Sequence, residues 1–138
     1  MLNEGGCLCG NIRYSFSGEP LVTAVCHCRH CQKQGGSAFS VVCAVAADGF
    51  QQQGVTRVFD DIGDSGKKVA RHFCPDCGSP IVSIAEAMPD FIIVKAGTLD
   101  GFAQFTPALE AYCDGRLPWI PALVGAQQFS RSNIGDDG

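Results

Sequence analysis

Nine cysteines stand in a chain of 138 residues, and seven of them fall into three tight clusters. The clusters are Cys7 with Cys9, Cys26 with Cys28 and Cys31, and Cys74 with Cys77. Disulfide frameworks of small secreted proteins use an even number of cysteines, which are usually spread along the chain. An odd number in close pairs indicates metal-bound thiolates instead, and such sites dictate which parts of a chain must meet.

Composition predicts a single domain. Hydrophobic residues make up 46% of the chain and charged residues 17%, which is enough apolar material for one core. We predict one metal-binding domain over residues 1–138, with its core at about 6–120 and a polar tail at 130–138 that leaves the core.

Charge and hydropathy exclude several kinds of partner. The net charge is -4 and the basic residues form no stripe, so we expect no nucleic acid. No apolar run reaches the length of a membrane span, and the first residues lack the charged and apolar segments of a secretory leader. We therefore expect a cytoplasmic protein without a membrane partner, and the sequence leaves its oligomeric state open.

Turn residues recur at short intervals, with 17 glycines and 7 prolines between stretches rich in Val, Ile, Phe and Thr. This texture predicts a mainly β fold with short turns and little helix. Alternation is clearest at 11–17, where Ile12, Tyr14 and Phe16 share one face of a half-buried strand. We predict further strands at 38–45, 56–59, 69–73, 81–84 and 91–96, and surface connections at 44–53 and 60–68.

The outer two clusters predict a structural zinc site. Zinc prefers four tetrahedral ligands, and Cys74-Pro-Asp-Cys77-Gly supplies two thiolates from one turn that glycine lets the chain leave. The pair Cys7 and Cys9, also followed by glycine, could supply the other two. Four protein ligands complete the coordination of the ion, so the free energy of zinc binding would stabilise the folded chain. The alternative, buried cysteine without metal, fits the paired spacing poorly.

The middle cluster predicts a different kind of site. Cys26, Cys28 and Cys31 offer three thiolates and no evident fourth cysteine, which leaves one zinc position open for water or a thiol. These are the candidate catalytic residues, and His27 and His30 are expected to support them rather than bind the ion. The alternatives are a labile cluster that loses its ion, or a second purely structural site.

Taken together, the motifs resemble one family. Cys-x-Cys-Gly at residue 7, Cys-His-Cys-x-x-Cys at residue 26, Phe-Cys-x-x-Cys-Gly-Ser at residue 73 and Gly-Thr-Leu-Asp at residue 97 occur in this order. The chain resembles the glutathione-dependent formaldehyde-activating enzyme family, which also includes centromere protein V, from about Gly6 to Trp119. The resemblance implies a β-tent fold of stacked antiparallel sheets and two zinc ions per chain, one on each cysteine group. The second ion is the one expected to be lost.

The resemblance also implies an activity, a carbon–sulfur lyase equilibrium like that of S-(hydroxymethyl)glutathione synthase. Zinc could bind the sulfur of glutathione or polarise the oxygen of the aldehyde, and the sequence leaves both open. Candidates for contacting the thiol ligand are Arg29, Lys33, Arg71, Gly35 and Gly36. The alternative function is a non-catalytic zinc module that binds glutathione or a protein partner.

One departure from the family and four single residues complete the predictions. After Pro107 the chain has Leu-Glu-Ala-Tyr where a histidine is expected, so no role of that histidine carries over. We expect Cys43 and Cys113 to be packed small hydrophobes, His72 to be an ordinary strand residue and Trp119 to lie in the core, with a pocket wall as its alternative.

Overall fold

The computed structural model describes residues 1–133, which form eleven strands, one α-helix and four 3₁₀ turns. The strands are β1 (Leu2–Gly6), β2 (Arg13–Ser17), β3 (Val22–Cys26), β4 (Ser40–Ala46), β5 (Phe50–Gln53), β6 (Arg57–Ile62), β7 (Lys68–Phe73), β8 (Pro80–Ala85), β9 (Phe91–Lys95), β10 (Leu109–Ala111) and β11 (Gln127–Gln128). The helix is α1 (Arg29–Gly35), and the 3₁₀ turns are Ala47–Gly49, Ala96–Thr98, Phe102–Gln104 and Cys113–Gly115. No helix in this part of the chain is long and apolar enough to cross a membrane.

The strands form two sheets. The smaller sheet has the order β1-β2-β5 and is antiparallel throughout. The larger sheet has the order β11-β10-β3-β4-β9-β8-β7-β6, in which β10 runs parallel to both of its neighbours and the other pairs are antiparallel. The predicted mainly β fold of stacked sheets with little helix is confirmed, and the parallel strand β10 is its one departure from antiparallel pairing.

The core lies between the two sheets and follows the predicted alternation. Ile12, Tyr14 and Phe16 are 2%, 3% and 2% exposed and face Cys43 and Val94 of the larger sheet, both fully buried. Burial of this apolar surface supplies the main stabilisation of the fold, at about 25 cal/mol per Å². The phenol of Tyr14 is paired within this core, since its Oη atom lies 2.7 Å from the Oγ1 atom of Thr98.

The helix α1 positions the middle cysteine cluster, and its ends explain its length. Cys28 is the N-cap, and its Sγ atom accepts a hydrogen bond of 3.2 Å from the backbone N–H of Cys31. Gly36 ends the helix in the left-handed conformation, with φ +66°, and donates its N–H to the carbonyl of Gln32. The cysteines therefore define the start of the helix that carries one of them.

Several sequence predictions need correction. The segment 44–53, expected as a surface connection, contains the end of β4 and the whole of β5, and β6 extends into the second connection. Trp119 is 71% exposed and not in the core. It lines a shallow cavity with Gly36, which is the alternative that the sequence allowed. At the predicted tail, the carbonyl of Arg131 accepts the N–H of Tyr112, and residues 134–138 lie outside the described residues.

Candidate metal centres

Two turns at one end of the sheets bring the outer cysteines together. Cys7 and Cys9 follow β1, and Cys74 and Cys77 lie between β7 and β8. Their four sulfurs lie within 4.8 Å of one another. The separations of 3.5 Å between Cys7 and Cys9 and 3.7 Å between Cys9 and Cys74 match the edge of about 3.8 Å of a tetrahedron with Zn–S bonds of about 2.3 Å. We call these residues the four-cysteine group.

Backbone and hydroxyl donors surround this group. The N–H of Ile12 donates to the Sγ atom of Cys7 at 3.2 Å, and the N–H of Asp76 donates to that of Cys74 at 3.4 Å. The pKa of Cys77 is lowered to about 5, mainly by a hydrogen bond with the side chain of Ser79 and next by one with its backbone. These contacts stabilise thiolates, which are the form that binds a metal ion.

The middle cluster lies where β3 meets α1. Cys26 ends β3, Cys28 caps the helix, and Cys31 lies in its first turn. The three sulfurs lie within 4.8 Å of one another, and no fourth ligand atom from a Cys, His, Asp or Glu within residues 1–133 joins them. We call these residues the three-cysteine group. It offers a zinc ion three ligands and leaves a position open.

The charge on this group favours a cation. Hydrogen bonds with Cys26 and Cys28 lower the pKa of Cys31 to about 2, whereas contacts with Cys28 and Cys31 raise the pKa of Cys26. Thiolates this close repel one another, so a second and a third negative charge on the group cost increasing free energy. A divalent ion at the centre removes this repulsion, so an all-thiolate donor set fits zinc.

A buried hydrogen-bond network holds His27, the residue between Cys26 and Cys28. The Nε2 atom of His27 lies 2.8 Å from the Oε1 atom of Glu110, and both side chains are at most 1% exposed. The other oxygen of Glu110 accepts hydrogen bonds from Arg116, the backbone N–H of Leu123 and Gln128. Although burial opposes it, these bonds, with that of His27 first, lower the pKa of Glu110 to about 2. The network fits the supporting role predicted for His27.

A second network joins the helix to the strands β6 and β7. The carboxylate of Asp61 accepts hydrogen bonds from the Nδ1 atom of His30 at 2.9 Å and from the Nε atom of Arg71 at 2.8 Å. The Nε2 atom of His30 also lies 3.3 Å from Asp64. His30 is therefore engaged by carboxylates and lies outside the group of cysteine sulfurs.

Two cavities meet at this second network. The larger has a volume of about 540 Å³ and is lined by three of the predicted ligand contacts, Arg29, Lys33 and Arg71. The smaller has a volume of about 160 Å³ and contains Cys28 and Tyr112. His30 and Arg71 line both cavities, so the two spaces adjoin. The residues that line the larger one are Arg29, His30, Lys33, Gln34, Phe59, Asp61, Arg71, Phe73 and Gly78.

The two predicted glycine contacts have other positions. Gly35 is the last residue of α1, and Gly36 caps it and lines the shallow cavity of Trp119 rather than either of the two cavities that share His30 and Arg71. Gly36 thus has a conformational role that its left-handed backbone explains.

The isolated cysteines differ from each other. Cys43 is fully buried in the core, as predicted. Cys113 is half-buried, and its sulfur contacts polar groups, with the guanidinium of Arg116 at 3.2 Å and the amide oxygen of Gln128 at 3.3 Å. The prediction of apolar packing is therefore wrong for Cys113, because its side chain borders the network around Glu110.

The sequence reasoning missed two residues beside the three-cysteine group. Lys95 is 7% exposed although it ends an apolar strand, and this break in an apolar run was a signal that could have been read. Tyr112 has a left-handed backbone, with φ 55°, and it is the only such residue other than glycine in the described chain. Nothing in the sequence marks that conformation.

The comparisons with known proteins agree with this geometry. Residues 2–115 match the model of the family described as glutathione-dependent formaldehyde-activating enzyme. A crystal structure of a Rhodobacter sphaeroides protein is similar in fold, with a TM-score of 0.58 and 18% sequence identity over 71% of this chain and 88% of that chain. No curated protein matches the sequence. Since the family model spans most of the chain, the protein belongs to the glutathione-dependent formaldehyde-activating enzyme family.

Proposed function

We propose that the protein catalyses the addition of glutathione, or a related thiol, to formaldehyde or another small aldehyde. The observation that carries this proposal is the open three-cysteine group at the wall of a cavity, with a complete four-cysteine group elsewhere in the same chain. Membership of the family supports these two substrate classes. In the reaction a bond forms between the thiol sulfur and the carbonyl carbon, the carbonyl π bond opens, and the thiol proton reaches the oxygen.

The donor sets support zinc at both groups. The four-cysteine group would hold a structural ion, because four thiolates complete its coordination. An ion held by Cys26, Cys28 and Cys31 would supply a Lewis acid with one exchangeable position next to the smaller cavity.

The larger cavity suits the peptide part of the thiol. Glutathione carries two carboxylates, and Arg29 and Lys33 present two cations in this cavity. Arg71 is held in place by Asp61, and Phe59 and Phe73 supply an apolar wall. Gly35 and Gly36, at the end of the helix, are the remaining candidates for contact with the ligand backbone.

The smaller cavity suits the aldehyde. It contains Cys28 together with Tyr112, and burial raises the pKa of the Tyr112 phenol. The phenol therefore stays uncharged far above neutral pH, and Tyr112 gives the smaller cavity a neutral polar wall beside Cys28. Binding the two substrates in adjoining cavities would hold them close together and oriented, so the bimolecular addition becomes a reaction within one complex.

Exchange spectroscopy by NMR tests the proposal. With zinc-loaded protein, we expect faster exchange between free formaldehyde and its glutathione adduct than in buffer alone. Cys28→Ser should remove the acceleration, and Cys113→Ser is the matched control because Cys113 lies outside both cysteine groups. Metal analysis should give two zinc ions per chain for the wild type and one for Cys28→Ser.

An unchanged exchange rate with the wild-type protein, for formaldehyde and for other small aldehydes, would overturn the enzymatic proposal. Calorimetry with glutathione then distinguishes the alternative. A measurable affinity without acceleration would identify a module that binds the thiol without catalysing its addition.

A further inference from the structure

Lys95 is a cation buried in the larger sheet. It is 7% exposed at the end of β9, and its Nζ atom donates a hydrogen bond of 3.0 Å to the Oγ atom of Ser40. No carboxylate within residues 1–133 forms an ion pair with it, whereas the other buried cation of this region, Arg71, is paired with Asp61. A buried charge is costly unless something balances it, so Lys95 requires a counter-charge.

The three-cysteine group supplies that counter-charge. Ser40, which holds the ammonium group, pairs with Cys26 across the strands β3 and β4. Burial lowers the pKa of Lys95, the charge on Cys31 opposes this shift, and the charge on Arg71 adds to it. Residues paired across antiparallel strands point to the same face of the sheet, so the ammonium group held by Ser40 lies on the face that carries the side chain of Cys26.

A divalent ion would leave the three-cysteine group with a negative charge, since three thiolates and one such ion carry a net charge of about -1. Two buried cations act on this group, Lys95 and Arg71, and Arg71 is also paired with Asp61. An anionic ligand entering the open position is attracted by Lys95, whereas a neutral ligand gains nothing comparable from it.

We propose that Lys95 is a positioning residue that makes the open position of the three-cysteine group select an anionic ligand, a thiolate, over a neutral one such as an aldehyde oxygen. This inference rests on the proposed function and deepens it, because the sequence left both modes of binding open. The thiol would then be activated as its anion, and the aldehyde would approach it from the smaller cavity.

Cobalt(II) substitution measures this selectivity without catalysis. The visible absorption of the cobalt-loaded protein is titrated with thiocyanate, an anionic probe, and with imidazole, which is neutral at about pH 8. Lys95→Met, which keeps the length of the side chain and removes its charge, should weaken thiocyanate binding about tenfold or more and imidazole binding less than about twofold. Lys95→Arg should retain the affinity for thiocyanate, and Cys28→Ser should abolish both responses.

An unchanged affinity of Lys95→Met for thiocyanate, or equal weakening of both probes, would overturn the inference. If Lys95→Met does not fold, Ser40→Ala provides the test, because it keeps the charge but frees the ammonium group from its partner. Its preference for thiocyanate over imidazole should fall, and an unchanged preference would count against Lys95. The preference can hold in a protein that does not accelerate adduct formation, so failure of the catalytic proposal is a separate outcome.

Discussion

Replacing Glu110 by glutamine removes one buried negative charge and keeps the shape of the side chain. The carboxylate is 1% exposed and accepts hydrogen bonds from His27, Arg116, Leu123 and Gln128. An amide has only one oxygen, so whichever way it turns, its NH₂ group faces at least one of these donors. The variant therefore loses hydrogen bonds and leaves buried donors unpaired.

The magnitude follows from the pKa of this carboxyl group. Hydrogen bonding lowers the pKa from its ordinary value of 4.5 to about 2, which corresponds to about 3 kcal/mol of stability. Because the pKa is lower in the folded state, this contribution is fully present above about pH 4.5 and is lost as the pH falls from about 4.5 to 2. Glutamine does not titrate, so the variant lacks this loss.

Urea denaturation followed by circular dichroism measures the effect. At pH 7 we expect Glu110→Gln to unfold with a free energy about 3 kcal/mol lower than the wild type. The difference should shrink by about 1.4 kcal/mol for each pH unit below about 4.5. Asp100→Asn is the control, because Asp100 forms an exposed ion pair with Arg13 and its loss should cost less than about 1 kcal/mol. A Glu110→Gln protein as stable as the wild type at pH 7 would refute the reasoning.

Three other substitutions have distinct expected outcomes. Cys7→Ser should lower the denaturation midpoint far more than Cys28→Ser, because Cys7 belongs to a site that joins distant turns. Equal losses in matched denaturation curves would mean that both groups are purely structural. Trp119→Ala should change the free energy of unfolding by less than about 0.5 kcal/mol, because the ring is exposed, and a loss of several kcal/mol would place it in a core after all. Gly115→Ala should destabilise the fold by about 1–3 kcal/mol and alter the spectrum of the cobalt-loaded protein, because the added carbon would lie 2.7 Å from the carbonyl oxygen of His27. Unchanged stability and an unchanged spectrum would contradict that contact.

The cysteine groups were predictable because local spacing carries their chemistry. Cys74 and Cys77 belong to one turn, and Cys26 and Cys28 stand on either side of one histidine, so no tertiary information is needed to recognise them. The alternation around Tyr14 was equally direct, since a half-buried strand repeats every two residues.

The remainder depends on contacts between distant parts of the chain. His27 and Glu110 are separated by 83 residues, and nothing near either one announces the other. The helix α1 escaped prediction because its N-cap is Cys28, a residue that caps helices far less often than serine or aspartate. The strand β1 was not predicted because it ends in Gly5 and Gly6, and glycine is depleted in strands. In the structure Gly5 lies against the ring of Tyr14, where no side chain fits.

The two cysteine groups differ in how far along the chain their members lie, and this difference affects how metal binding contributes to folding. Cys9 and Cys74 are 65 residues apart, so the unfolded chain brings them together only at a large entropic cost. Cys26, Cys28 and Cys31 lie within six residues and can capture an ion before any sheet exists. By mass action, an ion that also binds the unfolded chain contributes less to folding than one that binds only the folded chain. We therefore expect a rise in zinc concentration to stabilise the protein chiefly through the four-cysteine group.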